Sequence, residues 1–378
     1  MRVLIAGDYC DNGRTTALIE NGDSTTLFGS IQKVLFQYDY RIVNFEFPVV
    51  VSVSNPIPKC GPSLKGSKKA IDVIKNAGFN VCTMANNHVL DQGANCLLET
   101  KQLLEHSDVK VVGAGANLQE ASETLYLEKD GERTAIINCC EHEFSIAGAT
   151  TPGTNPLNPV TQYKSIKEAR EKADYVVVII HGGVEHFQYP TKRMKELYRF
   201  FIDTGADAVI NHHQHCFCGY EVYNGRPIFY GIGNLLFDIE GKRNSIWNKG
   251  ALVGLTLTKK NEPKFEVYPF EQSNERVGVS LLSIEEQALF LEKCNIINSI
   301  IIDDEKLEAE YSKLVASKRM EYELLVEPYD GRLMKGLYNR GVLPSMLSKG
   351  KLAKFYNYIN CESHHEVFLS VLGDLFRK

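Results

Sequence analysis

Short runs of β-branched residues alternate with helical patterns through the first 240 residues, and this alternation constrains the fold more than any other feature. Arg2 to Ala6 and Arg41 to Phe45 are the first two predicted strands, and Tyr175 to Ile180 is the clearest buried one. Parallel βαβ units produce this pattern. Asp130-Gly131 and Asn224-Gly225 each lie between extended runs and predict tight hairpin turns with antiparallel pairing. The sequence therefore predicts an α/β fold with mixed sheets.

The pattern changes to helices after about residue 275. Ser283 and Glu286 have the spacing of a capping box, which predicts the start of a helix. We therefore divide the chain into an α/β domain, residues 1–275, and a helical C-terminal region, residues 276–378. The second region carries no metal-ligand or nucleophile signature.

Composition excludes two classes of partner. The chain has 42 basic and 47 acidic groups, a net charge of -5, so it lacks the basic surplus of a nucleic-acid-binding domain. Its longest apolar runs are about a third of the ~20 residues that a membrane helix needs, so no membrane span is expected. The first residues lack a signal-peptide pattern, which predicts a cytoplasmic protein. Its 10 cysteines are then expected to be thiols.

Polar side chains with metal-binding chemistry follow the ends of the predicted strands. They are two carboxylates, one amide and three imidazoles: Asp8, Glu46, Asn87, His181, His213 and His215. Ligands collect at the carboxyl ends of strands in α/β sheets, so we expect these side chains to converge. Their mixed nitrogen and oxygen set suits Mn²⁺, Fe or Zn²⁺, whereas Mg²⁺ and Ca²⁺ usually take oxygens alone. Six ligands are enough for two divalent ions, and a carboxylate could bridge them at ~3.5–4 Å.

Five spaced motifs occur in order along the first 270 residues. They are Gly7-Asp8; Asn44-Phe45-Glu46-Phe47-Pro48; Ala85-Asn86-Asn87-His88 with Asp91 and Gly93; His181-Gly182-Gly183-Val184-Glu185; and the stretch from Gly205 through His212-His213-Gln214-His215 to Gly233-Asn234. Together they resemble the motifs of the bacterial capsule-synthesis CapA family, which is similar to the calcineurin-like metallophosphoesterases. The resemblance implies a two-sheet αββα sandwich with a dimetal site at one edge.

The resemblance also implies a role for each motif residue. The implied metal ligands are Asp8 and His215 for one ion, Glu46 as the bridge, and Asn87, His181 and His213 for the other. His88 would be catalytic, protonating the leaving oxygen or stabilising the charge on it. Asp91 would be its partner and fix the tautomer of the imidazole.

Four further positions carry expectations of their own. Cys10 stands where the broader phosphoesterases have a histidine, so that ligand is lost unless a thiolate replaces it. His212 is expected to point away from the site because adjacent strand residues alternate faces. Lys59 could meet a substrate phosphate, but a surface position is the simpler expectation. Glu185 is a candidate contact to a ligand or substrate, with a solvated loop carboxylate as the alternative.

The leading hypothesis is a dimetal phosphoesterase-like hydrolase that acts in capsule or surface-polymer biosynthesis. Its substrate would be a small-molecule or polymer-linked phosphoester, and its partners would include capsule or polysaccharide assembly enzymes. The family's association with poly-γ-glutamate leaves open hydrolysis or transfer at an amide by the same metals. A non-catalytic polymer-binding or scaffold protein is a third alternative. The chain has no Gly-x-Ser-x-Gly elbow and no P-loop, so neither a serine hydrolase nor an NTPase is predicted.

Overall fold

A computed structural model describes residues 1–51, 53–258 and 261–376. The chain divides into two compact units, Met1–Glu308 and Ala309–Lys378. The domain boundary placed after residue 275 stays a prediction. Residues 377 and 378 of the predicted C-terminal region lie outside the described residues.

The first sheet of the larger unit combines parallel and antiparallel strands. Its strands are β1 (Arg2–Tyr9), β2 (Tyr40–Phe45), β3 (Val81–Thr83), β4 (Lys110–Val112), β13 (Asn234–Leu236), β14 (Lys249–Thr256), β15 (Lys264–Gln272) and β16 (Val279–Leu281). Their order is β16-β15-β14-β1-β2-β3-β4, and β13 also pairs with β1. β1 to β4 and β13 run parallel, whereas β14 to β16 pair antiparallel with their neighbours.

The second sheet has a parallel centre with antiparallel edges. Its strands are β6 (Leu125–Lys129), β7 (Glu132–Cys140), β9 (Tyr175–His181), β10 (Ala208–His212), β11 (Tyr220–Tyr223) and β12 (Arg226–Phe229). Their order is β11-β12-β10-β9-β7-β6. The predicted turns at Asp130-Gly131 and Asn224-Gly225 join β6 to β7 and β11 to β12 as antiparallel pairs, which confirms both hairpins. A separate two-stranded ladder joins β5 (Ala114–Gly115) to β8 (Gly153–Thr154).

Helices cover the outer faces of both sheets. Those of the larger unit that lie wholly within it are α1 (Thr15–Glu20), α2 (Ser24–Leu35), α3 (Lys69–Ala77), α4 (Ala94–His106), α5 (Leu118–Ala121), α6 (Pro159–Lys172), α7 (Lys192–Thr204) and α8 (Ile284–Ile301), with 3₁₀ turns at Glu240–Lys242 and Ile246–Asn248. Phe28 of α2 shares one apolar cluster with Leu4 of β1. Tyr198 of α7 shares another with Val178 and Ile180 of β9.

The two sheets face each other through a third apolar cluster. Val3 and Ile5 of β1 lie in it together with Val177 and Ile179 of β9. Because successive strand residues point to opposite faces, these residues face the partner sheet while their neighbours face the helices. The larger unit is therefore an αββα sandwich with mixed sheets, as predicted.

The C-terminal part of the chain is helical, as predicted. α8 begins with the expected capping box, in which Glu286 N donates to Ser283 Oγ and Ser283 N donates to Glu286 Oε2. The helices that follow are α9 (Asp304–Val326), α10 (Gly331–Asn339), α11 (Lys349–Asn360) and α12 (Glu362–Phe376). Among the helices of the described ranges, none combines the length and apolar character that a membrane crossing requires.

A close approach between two glycines fixes the start of the site. A Cβ atom added to Gly7 would lie 1.7 Å from the carbonyl oxygen of Gly233, so only glycine fits at this point of β1. This contact brings β13 alongside β1, where Asp8 pairs with Asn234. The carboxylate of Asp8 is thereby held at the carboxyl edge of the first sheet.

Candidate metal centre

Six side chains at or shortly after the carboxyl ends of strands lie together at one edge of the sandwich. Asp8 and Glu46 come from the first sheet, and Asn87 follows β3 of the same sheet. His181 ends β9 of the second sheet, and its Nε2 lies 3.0 Å from Asn87 Oδ1. His213 and His215 follow β10 and complete the set: Asp8, Glu46, Asn87, His181, His213 and His215. The structure thus brings together every residue that the sequence singled out as a metal ligand.

Two groups of these residues are spaced to hold a cation. The ligand atoms of Asp8, Glu46 and His215 all lie within 4.8 Å of one another, and so do those of Glu46, His181 and His213. Glu46 belongs to both groups. Its carboxylate therefore occupies the position that a ligand shared by two ions would need.

The surroundings of Glu46 show whether these residues fit a metal. Its side chain is fully buried, and neither carboxylate oxygen has a hydrogen-bond partner among the described residues. Burial raises the pKa of Glu46 well above its ordinary value, and the charge of Asp8 raises it further. An unpaired buried carboxylate is strongly unfavourable unless a cation compensates it. The residues present therefore fit a divalent metal.

Hydrogen bonds orient the other carboxylate and one imidazole. Asn44 Nδ2 donates to Asp8 Oδ1 at 2.8 Å, and the backbone N of His213 donates to Asp8 Oδ2 at 3.2 Å. Burial outweighs these bonds and raises the pKa of Asp8 to about 7. His215 Nδ1 lies 2.8 Å from Asn234 Oδ1, which can accept a hydrogen bond from Nδ1–H. That bond leaves the Nε2 lone pair of His215 for a metal.

The imidazoles are held in the neutral form that binds metals. Burial lowers the pKa of His181 and His215 well below the ordinary histidine value, and the neighbouring imidazoles act in the same direction. Burial also lowers the pKa of His213. Neutral imidazole keeps a lone pair on one nitrogen, so each ring is ready to act as a ligand.

The orientation expected for His212 is wrong. His212 pairs in register with His181 on the adjacent parallel strand and therefore shares its inward face. The ligand atoms of Asp8, His181 and His212 lie within 4.8 Å of one another, which makes a third group able to hold a cation. The alternation rule applies only within a strand. β10 ends at His212, and His213 has a positive φ of 85°, so the direction of the His213 side chain does not show where His212 points. Burial lowers the pKa of His212 to about 3.

His88 and Asp91 lie side by side, next to Asn87 in the chain. His88 Nδ1 is 2.7 Å from Asp91 Oδ2, and both residues are buried. Lys59 Nζ is 2.6 Å from Asp91 Oδ1, and only 4% of the Lys59 side chain is exposed. The surface position expected for Lys59 is therefore wrong, because the loop between β2 and α3 carries its ammonium onto a buried carboxylate.

Two other expectations concern residues near the ligands. Cys10 is fully buried in the apolar cluster beneath the first sheet, and burial raises the pKa of its thiol well above the ordinary value. No group of described residues that is spaced to hold a cation includes Cys10. Glu185 is half-exposed, and its charge helps to raise the pKa of Glu46, so it lies close enough to influence the centre.

Sequence reasoning missed Glu143. It lies three residues after Cys140, the last residue of β7, and Asn87 Nδ2 donates to its Oε2 at 2.9 Å. The signal that could have found it is the rule that located the other ligands. A carboxylate shortly after a buried parallel strand is a candidate for the carboxyl edge of the sheet.

Comparison with known proteins finds capsule-synthesis relatives. The sequence model of the family described as "Bacterial capsule synthesis protein PGA_cap" matches residues 2–239. The chain is 31% identical over 268 residues to "PGA biosynthesis protein CapA" of Bacillus subtilis (strain 168), covering 70% of each chain. It is 30% identical over 246 residues to "Capsule biosynthesis protein CapA" of Bacillus anthracis, covering 63% of this chain and 60% of that one.

Solved structures with distant sequences also match. A novel phosphatase from Mycoplasma pneumoniae has a TM-score of 0.47 and 16% identity, covering 73% of this chain and 95% of that one. A 5'-nucleotidase from Candida albicans SC5314 has a TM-score of 0.43 and 12% identity, covering 72% of this chain and 52% of that one. At these TM-scores the fold assignment rests on the sheet order described above.

Proposed function

Because the chain belongs to the bacterial capsule synthesis family PGA_cap, we propose that it is a metal-dependent hydrolase that cleaves a phosphoester during synthesis of a capsule or another surface polymer. The observation that carries the proposal is the buried carboxylate of Glu46, which accepts no hydrogen bond from the described residues and which two groups of candidate ligands share.

The contacts support a ligand set for each of two ions. The proposed ligands are Asp8, Glu46 and His215 for one ion, and Glu46, Asn87, His181 and His213 for the other. Bound divalent ions of manganese, iron or zinc would lower the pKa of water and polarise a phosphoryl oxygen. The protein's own contribution is to hold the ligands rigidly through Asn44 and Asn234.

His88 is the proposed general acid. When the His88 ring carries a proton on both nitrogens, Nδ1 donates to Asp91 and Nε2 can transfer its proton to a leaving oxygen, which leaves the ring neutral with its remaining proton on Nδ1. Lys59 Nζ lies 3.2 Å from His88 Nδ1 and also contacts Asp91, so a cation and a buried carboxylate lie on the same side of the ring. The substrate that we propose is a small-molecule or polymer-linked phosphoester, and assembly enzymes of the same polymer are the proposed protein partners.

The name of the Bacillus subtilis relative, "PGA biosynthesis protein CapA", favours a second candidate. In that case the same centre would hydrolyse or transfer at an amide of poly-γ-glutamate, and His88 would protonate a leaving amine. The two candidates share their metal ligands and differ in the bond that is broken. Substrate panels therefore separate them.

The experiment loads the chelator-treated full-length chain with Mn²⁺ and assays phosphomonoesters, phosphodiesters and poly-γ-glutamate. We expect hydrolysis of at least one phosphoester class, lowered by at least about 100-fold in Glu46→Gln and His88→Asn. Glu221→Gln is the matched control, because Glu221 is buried but paired with Arg199 outside the centre.

Other outcomes assign the other functions. Cleavage of poly-γ-glutamate without phosphoester hydrolysis would overturn the leading proposal in favour of the amide candidate. If no substrate reacts and His88→Ala leaves polymer production in cells intact, the protein is a non-catalytic partner of the synthesis machinery.

A further inference from the structure

Glu143 lies against two side chains that we assign to the same ion. Asn87 Nδ2 donates to its Oε2 at 2.9 Å, and His213 Nε2 lies 3.8 Å from its Oε1. No motif that located the ligands includes this residue. One carboxylate therefore contacts two of the proposed ligands.

The contact with Asn87 selects which end of the amide faces the centre. A carboxylate only accepts hydrogen bonds, so it must face the NH₂ group of the amide. With Nδ2 bound to Glu143, Oδ1 is directed toward His181, whose Nε2 is 3.0 Å away. An amide oxygen can bind a cation, whereas an amide nitrogen cannot. Glu143 thus holds Asn87 in its ligating orientation.

The contact with His213 acts on a tautomer. His213 Nδ1 lies 3.0 Å from His181 Nε2 and therefore faces the centre, while Nε2 faces Glu143. A carboxylate beside Nε2 favours the proton on that nitrogen, which leaves the Nδ1 lone pair for an ion. At 3.8 Å this effect is electrostatic in the structure described here.

The loop that carries Glu143 is itself attached to Asn87. Ser145 is buried, and its Oγ donates to the backbone oxygen of Asn87 at 2.8 Å. The loop therefore contacts both the backbone and the side chain of one ligand. Glu143 is 39% exposed and contacts the nitrogen side of the amide, away from the ligating oxygen, so it serves as a support and not as a ligand.

We propose that Glu143 is a positioning residue that sets the affinity of the ion bound by Glu46, Asn87, His181 and His213. This inference rests on the metal centre of the proposed function. Partners that orient metal ligands typically change affinity by about 10- to 100-fold when they are removed. The ion bound by Asp8 and His215 should be affected much less. Within the described residues, no hydrogen bond or ion pair joins Glu143 to Asp8 or to His215.

The test is calorimetric titration of Mn²⁺ into the chelator-treated full-length protein. We expect two binding events in the parent, and in Glu143→Gln a loss of about 10- to 100-fold in the affinity of one event only. Glu143→Asp keeps the charge but shortens the side chain, and it should behave like Glu143→Gln. Nitrogen-15 NMR of labelled histidine should show His213 protonated on Nε2 in the parent and a mixed tautomer in Glu143→Gln.

Glu185→Gln is the charge control. Glu185 is also half-exposed, and its charge also acts on His213, but no hydrogen bond joins it to Asn87 within the described residues. It should bind both ions with affinities within about twofold of the parent, because no ligand loses its support. Equal losses in Glu185→Gln and Glu143→Gln, or unchanged binding in Glu143→Gln, would overturn the inference while leaving the metal centre in place. A parent protein that binds no metal would overturn the proposed function itself.

Discussion

Nδ1 of His88 lies 2.7 Å from Oδ2 of Asp91, and two further donors fix that carboxylate. Lys59 Nζ lies 2.6 Å from Oδ1, and the backbone N of Leu64 lies 2.6 Å from Oδ2. Asp91 is thus an acceptor with little freedom to move. The His88 ring is oriented by it, and Nε2 is left as the nitrogen that can meet a substrate.

Replacing His88 should separate catalysis from metal binding. We expect His88→Asn to lower kcat on the best phosphoester by about 10²- to 10⁴-fold, because a general acid contributes that much, with metal content unchanged. The measurements are steady-state kinetics and metal analysis of the same preparation. His106→Asn is the control, because His106 is exposed at the end of α4. A parallel loss of metal in His88→Asn would show that His88 is a ligand.

Removing the ammonium of Lys59 should destabilise the fold. Its ion pair with Asp91 is buried, with side-chain exposures of 4% and 0%. Breaking such a pair leaves an uncompensated buried charge, so Lys59→Met should lower the free energy of unfolding by about 3–5 kcal/mol in urea titrations. Lys65→Met, at an exposed position of the same loop, should stay within about 0.5 kcal/mol of the parent. Equal stability of the two variants would contradict the burial of Lys59.

Adding one methyl group at Gly7 should damage both stability and metal binding. Its Cβ would lie 1.7 Å from the oxygen of Gly233, so β13 must move, and Asp8 is the next residue. We expect Gly7→Ala to lose about 3 kcal/mol or more of unfolding free energy and to bind Mn²⁺ more weakly. Gly29→Ala in α2 is the matched control. Its Cβ would meet Thr25 Cγ2 at 3.5 Å, an ordinary contact, and it should gain about 0.5–1 kcal/mol.

Glu46→Gln should have opposite effects with and without metal. Because burial raises the pKa of Glu46, its charge opposes folding once the pH exceeds the unfolded value of about 4.3. The metal-free variant should therefore be more stable than the metal-free parent at neutral pH, and the difference should grow as the pH rises from 4.

Metal should reverse that order. Free Mn²⁺ at 100 times its Kd should stabilise the parent by about 2.7 kcal/mol for each ion that binds and raise its Tm, but it should leave Glu46→Gln unchanged. Scanning calorimetry with and without Mn²⁺ measures both effects. A variant that gains as much Tm from Mn²⁺ as the parent would show that Glu46 is not a ligand.

The fold and the convergence of the six candidate ligands could be predicted because both depend on local patterns. Buried strands such as Tyr175 to Ile180 can be recognised from their own residues. Parallel strands place their carboxyl ends at one edge of the sheet, independently of the loops that connect them. Asp8 and His181 therefore converge although they are far apart in the sequence. The hairpins at Asp130-Gly131 and Asn224-Gly225 are equally local, since their turn chemistry resides in two residues.

The features that could not be predicted lie at the ends of strands and in loops. The predicted orientation of His212 was wrong because the alternation of side-chain faces holds only up to the end of β10, and the sequence does not show where that end lies. Lys59 and Glu143 lie in loops, and loops carry no periodicity that would show which buried group they meet. Their contacts with Asp91 and Asn87 arise from packing across the sandwich and therefore need the tertiary structure.

The donors of the centre are divided between the two sheets, and this division governs how the protein matures. Asp8 and Glu46 leave the ribosome long before His213 and His215, and each sheet brings its share only after packing onto the other. A cation bound there as proposed would link the two sheets at their common edge. Under the proposed function, a metal ion would therefore enter the centre only after both sheets have packed, late in biogenesis.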